Sequence, residues 1–238
     1  MLRSLSRLLK FPAYGVQFTN QAMKCDSIKS LAGFYWNKLQ PYVQNRKVHL
    51  CGLGFGGLVA VEMAMMNQSK CASLTILDCG QQSDKFLGSF NRIETDALLT
   101  FARKYLPEAS HEEKYELVNK LDRLNSLQRR VEFLVDELMG KSRFQLDAND
   151  LREAAYAFVR KSQMVEEYSP ELKNKLAVKC EIVTATSERS DMEAMLKGCC
   201  RSVDRFVVGC DQRSMLEGDK CLEIGQFMNG KFIEFLCH

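Results

Sequence analysis

Apolar positions along the chain fall into two regimes. From residue 1 to 80, short apolar runs alternate with stretches whose apolar residues recur every three or four positions. Leu2, Leu5, Leu8 and Leu9 predict a surface helix that Pro12 ends. AYGVQF (13–18) alternates and predicts a strand. Asp26 or Ser27 caps a predicted helix over 28–41, with Ile28, Leu31, Phe34, Tyr35 and Leu39 on its apolar side and Pro41 at its end. A strand over 47–51, a helix over 58–67 and a strand over 73–78 (SLTILD) follow. The last is continuously apolar, as a central parallel strand is. This α-β-α-β-α-β order predicts an α/β fold: a doubly wound, mostly parallel sheet with helices on both faces. Beyond 85 the strand pattern stops. Helical periodicity covers 94–106, 111–123, 126–140 and 147–168, with Val131, Leu134, Val135 and Leu138 as one apolar stripe. Strands return at 177–185 and 205–209 around a helix over 190–198, and a helix over 219–237 closes the chain. The predicted organisation is a core of 1–84 and 174–238 interrupted by a helical insertion over 85–173, set as a lid over the C-terminal edge of the sheet.

The chain is centred on VHLCGLGFGGLVAVEMAMM (48–66): a strand, a glycine-dense turn from Gly52 to Gly57, and an apolar helix. Strand, sharp turn and helix place free N–H groups where an anion or oxyanion can meet them. Two chemistries use this shape. Gly52-x-Gly54-x-x-Gly57 satisfies the dinucleotide pattern, and Asp78 ends the next strand where an acid would hold ribose hydroxyls of NAD(P). Against that reading, the glycine strand is the second of the predicted sheet, and the chain after Asp78 leaves the β-α-β pattern. The second chemistry is the G-x-S-x-G elbow of a nucleophilic serine. Gly52 and Gly56 supply its frame, and Gly54 stands in the serine position.

Composition narrows the field. A net charge of +3 without a dense basic patch does not suit nucleic acid. No apolar run approaches the roughly 20 residues of a spanning helix. Ten cysteines are scattered without a C-x-x-C pair, which predicts buried, reduced thiols in a cytoplasmic protein rather than a disulfide scaffold. Three histidines offer little for a metal site, and neither a metal nor a cofactor is expected. The basic start, MLRSLSRLLKF, has the composition of a transit peptide, but a surface helix accounts for it better because a predicted strand follows at once.

The order of parts is that of an α/β-hydrolase: elbow after a strand, acid after the next, helical cap, two late strands, then a loop, VVGCDQRSMLEG (207–218), where histidine belongs. The sequence resembles the thioesterase domain of animal fatty acid synthases. The matching pieces are AYGVQFT (13–19), DSIKSLAGFY (26–35), the elbow with VEM (61–63), ILDCG (76–80) and DQRSMLEG (211–218), in order along nearly the whole chain. The resemblance implies an α/β-hydrolase fold and hydrolysis of the thioester joining a long acyl chain to the acyl carrier protein, in association or fusion with a synthase. Carried over position by position, the serine falls on Gly54, the acid on Asp78 and the histidine on Gln212. One oxyanion N–H falls on Phe55. The other, in a His-Pro-containing loop, would precede Met1.

Only the acid of that triad is retained. Glycine supplies no nucleophilic atom, and a glutamine amide is no base near neutral pH. The expectation is a catalytically inactive pseudo-thioesterase with an acyl-binding, carrier-binding or scaffold role. The alternatives are an active thioesterase with a displaced nucleophile, for which Cys79 and Cys210 are the candidates, and an NAD(P)-binding oxidoreductase. Cys51 and His49 share one face of a strand and read as core; His111 flanks a lid helix, and Asp211 and Glu217 read as structural. Phe86, Phe90, Phe101, Phe133, Met139, Phe144, Phe158 and Met164 of the insertion could line an acyl groove, though at helical spacing they read first as plain core.

Overall fold

The computed structural model describes residues 2–77, 90–106, 110–141, 147–170, 176–186, 191–210 and 214–236. The chain forms two compact units, 1–84 with 169–238, and 85–168.

The first unit holds a parallel four-stranded sheet in the order β1-β2-β3-β4: β1 (Val48–Leu53), β2 (Cys71–Leu77), β3 (Leu176–Thr184) and β4 (Cys200–Val207). β2 is buried at every position, as its unbroken apolar run requires of a strand covered on both faces. Alternation along it separates the two faces. Ile76 meets Gly57 of helix α3 (Phe55–Met66), against which α2 (Ile28–Val43) packs. Leu77 instead joins Leu5 of α1 (Leu2–Leu8) and Ile224, Met228 and Phe232 of α9 (Gly218–Leu236) in a second apolar cluster. Helix α8 (Asp191–Cys199) links β3 to β4. Asn229 ties α9 to the end of α1: its Nδ2 donates to the Leu8 carbonyl at 2.9 Å and its Oδ1 accepts from the Lys10 N–H at 2.8 Å.

Local chemistry sets the boundaries. Ser27 and Ser30 form a capping box that starts α2, each hydroxyl accepting the other's backbone N–H at 3.2 and 3.1 Å. Pro41 lies within the last turn of this helix rather than after it, because buried Val43 anchors the turn to the core. β4 begins five residues before the apolar stretch that predicted it. Its extra residues carry Arg201, Ser202 and Asp204 and lie at the edge of the sheet, where polar side chains reach water. The predicted strand at 13–18 is absent: residues 12–19 have no regular structure, and 12–17 are exposed.

The second unit is helical wherever it is described: α4 (Phe90–Ala102), α5 (His111–Asp122), α6 (Leu127–Lys141) and α7 (Ala148–Glu166). Ser110 and Glu113 form the capping box of α5, and the Asp147 carboxylate accepts the Asn149 and Asp150 N–H groups at the start of α7. The predicted stripe Val131, Leu134, Val135, Leu138 is the core of this unit, with Leu98, Phe101, Leu121, Leu151 and Val159. Phe101 is buried there, and Phe133 and Phe158 pack against it; Phe86 and Phe144 lie outside the described residues. The guanidinium of Arg130 is buried among these helices, donating to the Leu121 carbonyl at 3.1 Å and to the Glu94 carboxylate at 2.6 Å.

Candidate active site: an elbow without its nucleophile

The turn between β1 and α3 has the geometry of a nucleophile elbow. Gly54, at its apex, has φ +52° and ψ −117°, a backbone conformation that L side chains rarely adopt. Its N–H donates to the Leu77 carbonyl at 3.1 Å, which pins the apex to the end of β2, and its carbonyl accepts from the Gly57 N–H at 2.8 Å. The flanking glycines are there for steric reasons. A Cβ on Gly52 would collide with the Gly56 carbonyl. One on Gly57 would lie 3.0 Å from the Ile76 side chain, so the helix sits directly on the sheet. At Gly54, by contrast, a Cβ would meet nothing within 4 Å. The site thus retains the strain and the open space of an elbow and displays no side chain there.

The other triad-equivalent positions, Asp78 and Gln212, lie outside the described residues, as do Cys79 and Asp211. Their flanks are described. Asp78 directly follows Leu77, whose carbonyl receives the Gly54 N–H. Gln212 comes two residues after Cys210, and the Gly209 and Cys210 N–H groups both reach the Ala185 carbonyl beyond β3 at 3.1 Å. Backbone hydrogen bonds therefore tie the chain just before each position to the C-terminal ends of the strands. Phe55 opens α3 beside the apex, its ring edge-on to Phe18 at 6.1 Å.

Cys210 is partly buried against the apolar cluster under α9, the surroundings of a packing thiol rather than an activated one. Cys51 is not the core residue its strand predicts: it keeps solvent-exposed surface because β1 is an edge strand. The mass of protein around it nevertheless pushes its thiol up to about 12, so it stays protonated near neutral pH. His49 is half-buried, its Nδ1 2.7 Å from the Ser73 hydroxyl and its ring against Phe232 at 4.3 Å; burial lowers its pKa. His111 is the exposed first residue of α5. Glu217, read as structural, donates its N–H to the Ser214 carbonyl and accepts the Cys221 N–H where α9 begins. Among the described residues no group of three His, Cys, Asp or Glu side chains is placed to hold a metal ion.

One charged group went unmarked in the sequence. Glu181 of β3 is 2% exposed, with Oε2 lacking any hydrogen-bond partner, and burial pushes its carboxyl above the usual range while Lys179 and Lys231 pull it back. A period-2 reading of AVKCEIVTA marks its face; it does not show that a helix covers that face.

No family model matches the chain. Among solved structures it is similar in fold to a four-domain nonribosomal peptide synthetase bound to AMP and glycine, with TM-score 0.72 and 15% identity over 97% of this chain. The chain spans only 18% of that protein. It is also similar to the Vlm2 thioesterase domain bound with a dodecadepsipeptide, with TM-score 0.59 and 16% identity over 95% of this chain and 85% of that one. A third similar structure, RedJ with a PEG molecule in its active site, has TM-score 0.57 and 10% identity over 96% of this chain and 85% of its own. The fold is α/β-hydrolase-like, of the thioesterase kind. No helix of the described residues is long and apolar enough to cross a membrane.

Proposed function

We propose that this chain is a pseudo-thioesterase: a domain of the fatty acid synthase thioesterase type that keeps the elbow and has lost the chemistry the elbow serves. The observation that carries this reading is Gly54 at φ +52° with empty space where a side chain would project. Acyl transfer on this scaffold starts from an oxygen or sulfur at that point and a base to take its proton. Here the apex is glycine and the base position is Gln212. The N–H groups at the start of α3, with Phe55 first, remain as donors that polarise a carbonyl without attacking it. A long-chain acyl group is then held rather than cleaved, and the acyl carrier protein of a cytoplasmic synthase is the partner that presents it.

A displaced cysteine nucleophile finds less support. Cys210 packs into an apolar cluster, and the thiol of Cys51 stays protonated. An NAD(P) site finds less still, since the G-x-G-x-x-G match is accounted for by an elbow whose central residue is glycine.

The test is hydrolysis of a palmitoyl thioester. The native chain should show turnover at the buffer rate, and Gly54→Ser with Gln212→His should raise it. Turnover by the native chain well above buffer, lost in Asp78→Ala, would overturn the reading; if thiol alkylation abolished it instead, the displaced-cysteine mechanism would hold.

A further inference from the structure

The two edges of the sheet differ. β4 carries Arg201, Asp204 and Arg205, charges that keep an edge from pairing with another strand. β1, VHLCGL, has neither a Lys, Arg, Asp or Glu nor a proline. Amide direction alternates along a strand, and the Gly54 N–H points to β2, so the N–H and C=O groups of Cys51 and Leu53 point to the free edge.

Residues 11–18 run beside that edge. Phe11 meets Phe232 at 5.5 Å, and Phe232 meets His49 near the start of β1. Phe18 meets Phe55 at 6.1 Å, just past the end of β1. The segment therefore travels parallel to β1 over a similar number of residues. Its side chains are already sorted as a strand would sort them. Tyr14 and Phe18, both even, turn to Tyr42 of α2 and Phe55 of α3 on one face of the sheet; odd-numbered Phe11 turns to α9 on the other. Yet no backbone hydrogen bond joins residues 12–18 to β1, and Tyr14 and Val16 stay 61% and 45% exposed. Segment, α2 and β1 are connected as a β-α-β unit, the usual connection for parallel neighbours.

We propose that residues 13–18 are a strap that closes onto β1 as a fifth parallel strand. Closure satisfies the free backbone groups of Cys51 and Leu53. It carries Phe18 along the sheet toward Phe55, so the residue that begins α3 at the elbow packs differently in the open and closed states. The occupant is the chain's own segment because its ends are already held beside the edge, which makes pairing intramolecular.

Residue-resolved amide hydrogen exchange on the full chain tests this. The Cys51 and Leu53 amides should exchange at least about 50-fold more slowly than unstructured amides. Val16→Pro and Gln17→Pro are made separately, because adjacent N–H groups point to opposite sides and one of the two must face β1. At least one should return Cys51 and Leu53 to near-unprotected exchange while the Thr75 and Ile182 amides of the central strands keep their protection. Unprotected Cys51 and Leu53 in the native chain would overturn the proposal. Protection that survives both prolines, or that grows with protein concentration as pairing with a second copy would, overturns it too.

Discussion

Two glycine-to-alanine changes four residues apart should act with opposite signs. A Cβ at Gly52 would overlap the Gly56 carbonyl and lie 2.6 Å from the Gly57 Cα, where carbon atoms normally keep about 3.5–4 Å. Relief requires the start of α3 to retreat from β1 by roughly 1 Å. That retreat stretches the Gly54–Leu77 and Gly57–Gly54 hydrogen bonds of 3.1 and 2.8 Å and lifts Gly57 from Ile76. Two hydrogen bonds at about 1 kcal/mol each, with about 1–3 kcal/mol of overpacking strain, put Gly52→Ala at about 3–5 kcal/mol of lost stability. Gly56→Ala meets nothing within 4 Å and lies in the first turn of α3, so the better helix former should add roughly 0.5 kcal/mol. The assay is urea unfolding followed by tryptophan fluorescence. The chain has one tryptophan, Trp36, buried in α2 of the sheet-bearing unit, so the signal reports that unit and not the helical one. A loss under 1 kcal/mol for Gly52→Ala, or equal shifts for both variants, would refute the steric account of the elbow.

Two further outcomes follow from buried charge. Glu94→Gln leaves the Arg130 guanidinium buried without its carboxylate and should cost the helical unit about 3–5 kcal/mol, read by far-UV circular dichroism; Glu94→Leu with Arg130→Met should restore most of it, and a harmless Glu94→Gln would refute a paired role. Glu181 binds its proton more tightly folded than unfolded, so between the ordinary carboxylate pKa and its raised folded value the native state holds the extra proton and stability falls as pH rises. His49, with a lowered pKa, acts in the opposite sense: its contribution is lost as pH falls through the range below its ordinary value. The difference between the native chain and Glu181→Gln isolates the carboxyl: the variant should lose the downward slope above pH 4 in Trp36-monitored urea midpoints, and parallel pH profiles would rule the effect out.

Periodicity carried most of the fold. The continuous apolar run of β2 marked a central parallel strand, and the three-to-four spacing of Val131, Leu134, Val135 and Leu138 marked a helix core, because burial on two faces or on one stripe leaves a direct trace in residue order. The elbow was legible for a similar reason: close backbone approach leaves glycines, and Gly52 and Gly57 stand where no Cβ fits. The absence of a nucleophile at Gly54 needs nothing beyond the sequence, since it is a matter of which atoms exist.

Tertiary structure decided what depends on neighbours. AYGVQF has a strand's alternation, but a strand also needs a partner's hydrogen-bonding groups, and none pairs with it here. Cys51 looked like core until its strand proved to be an edge, and β4 began earlier than its apolar residues suggested because an edge strand tolerates polar ones. Glu181 reads as an ordinary charge on a strand; only the packing above β3 makes it a buried carboxyl with an unpartnered oxygen. Residue order records which faces are apolar, while which element covers each face and which edge stays open are long-range outcomes that no local pattern encodes.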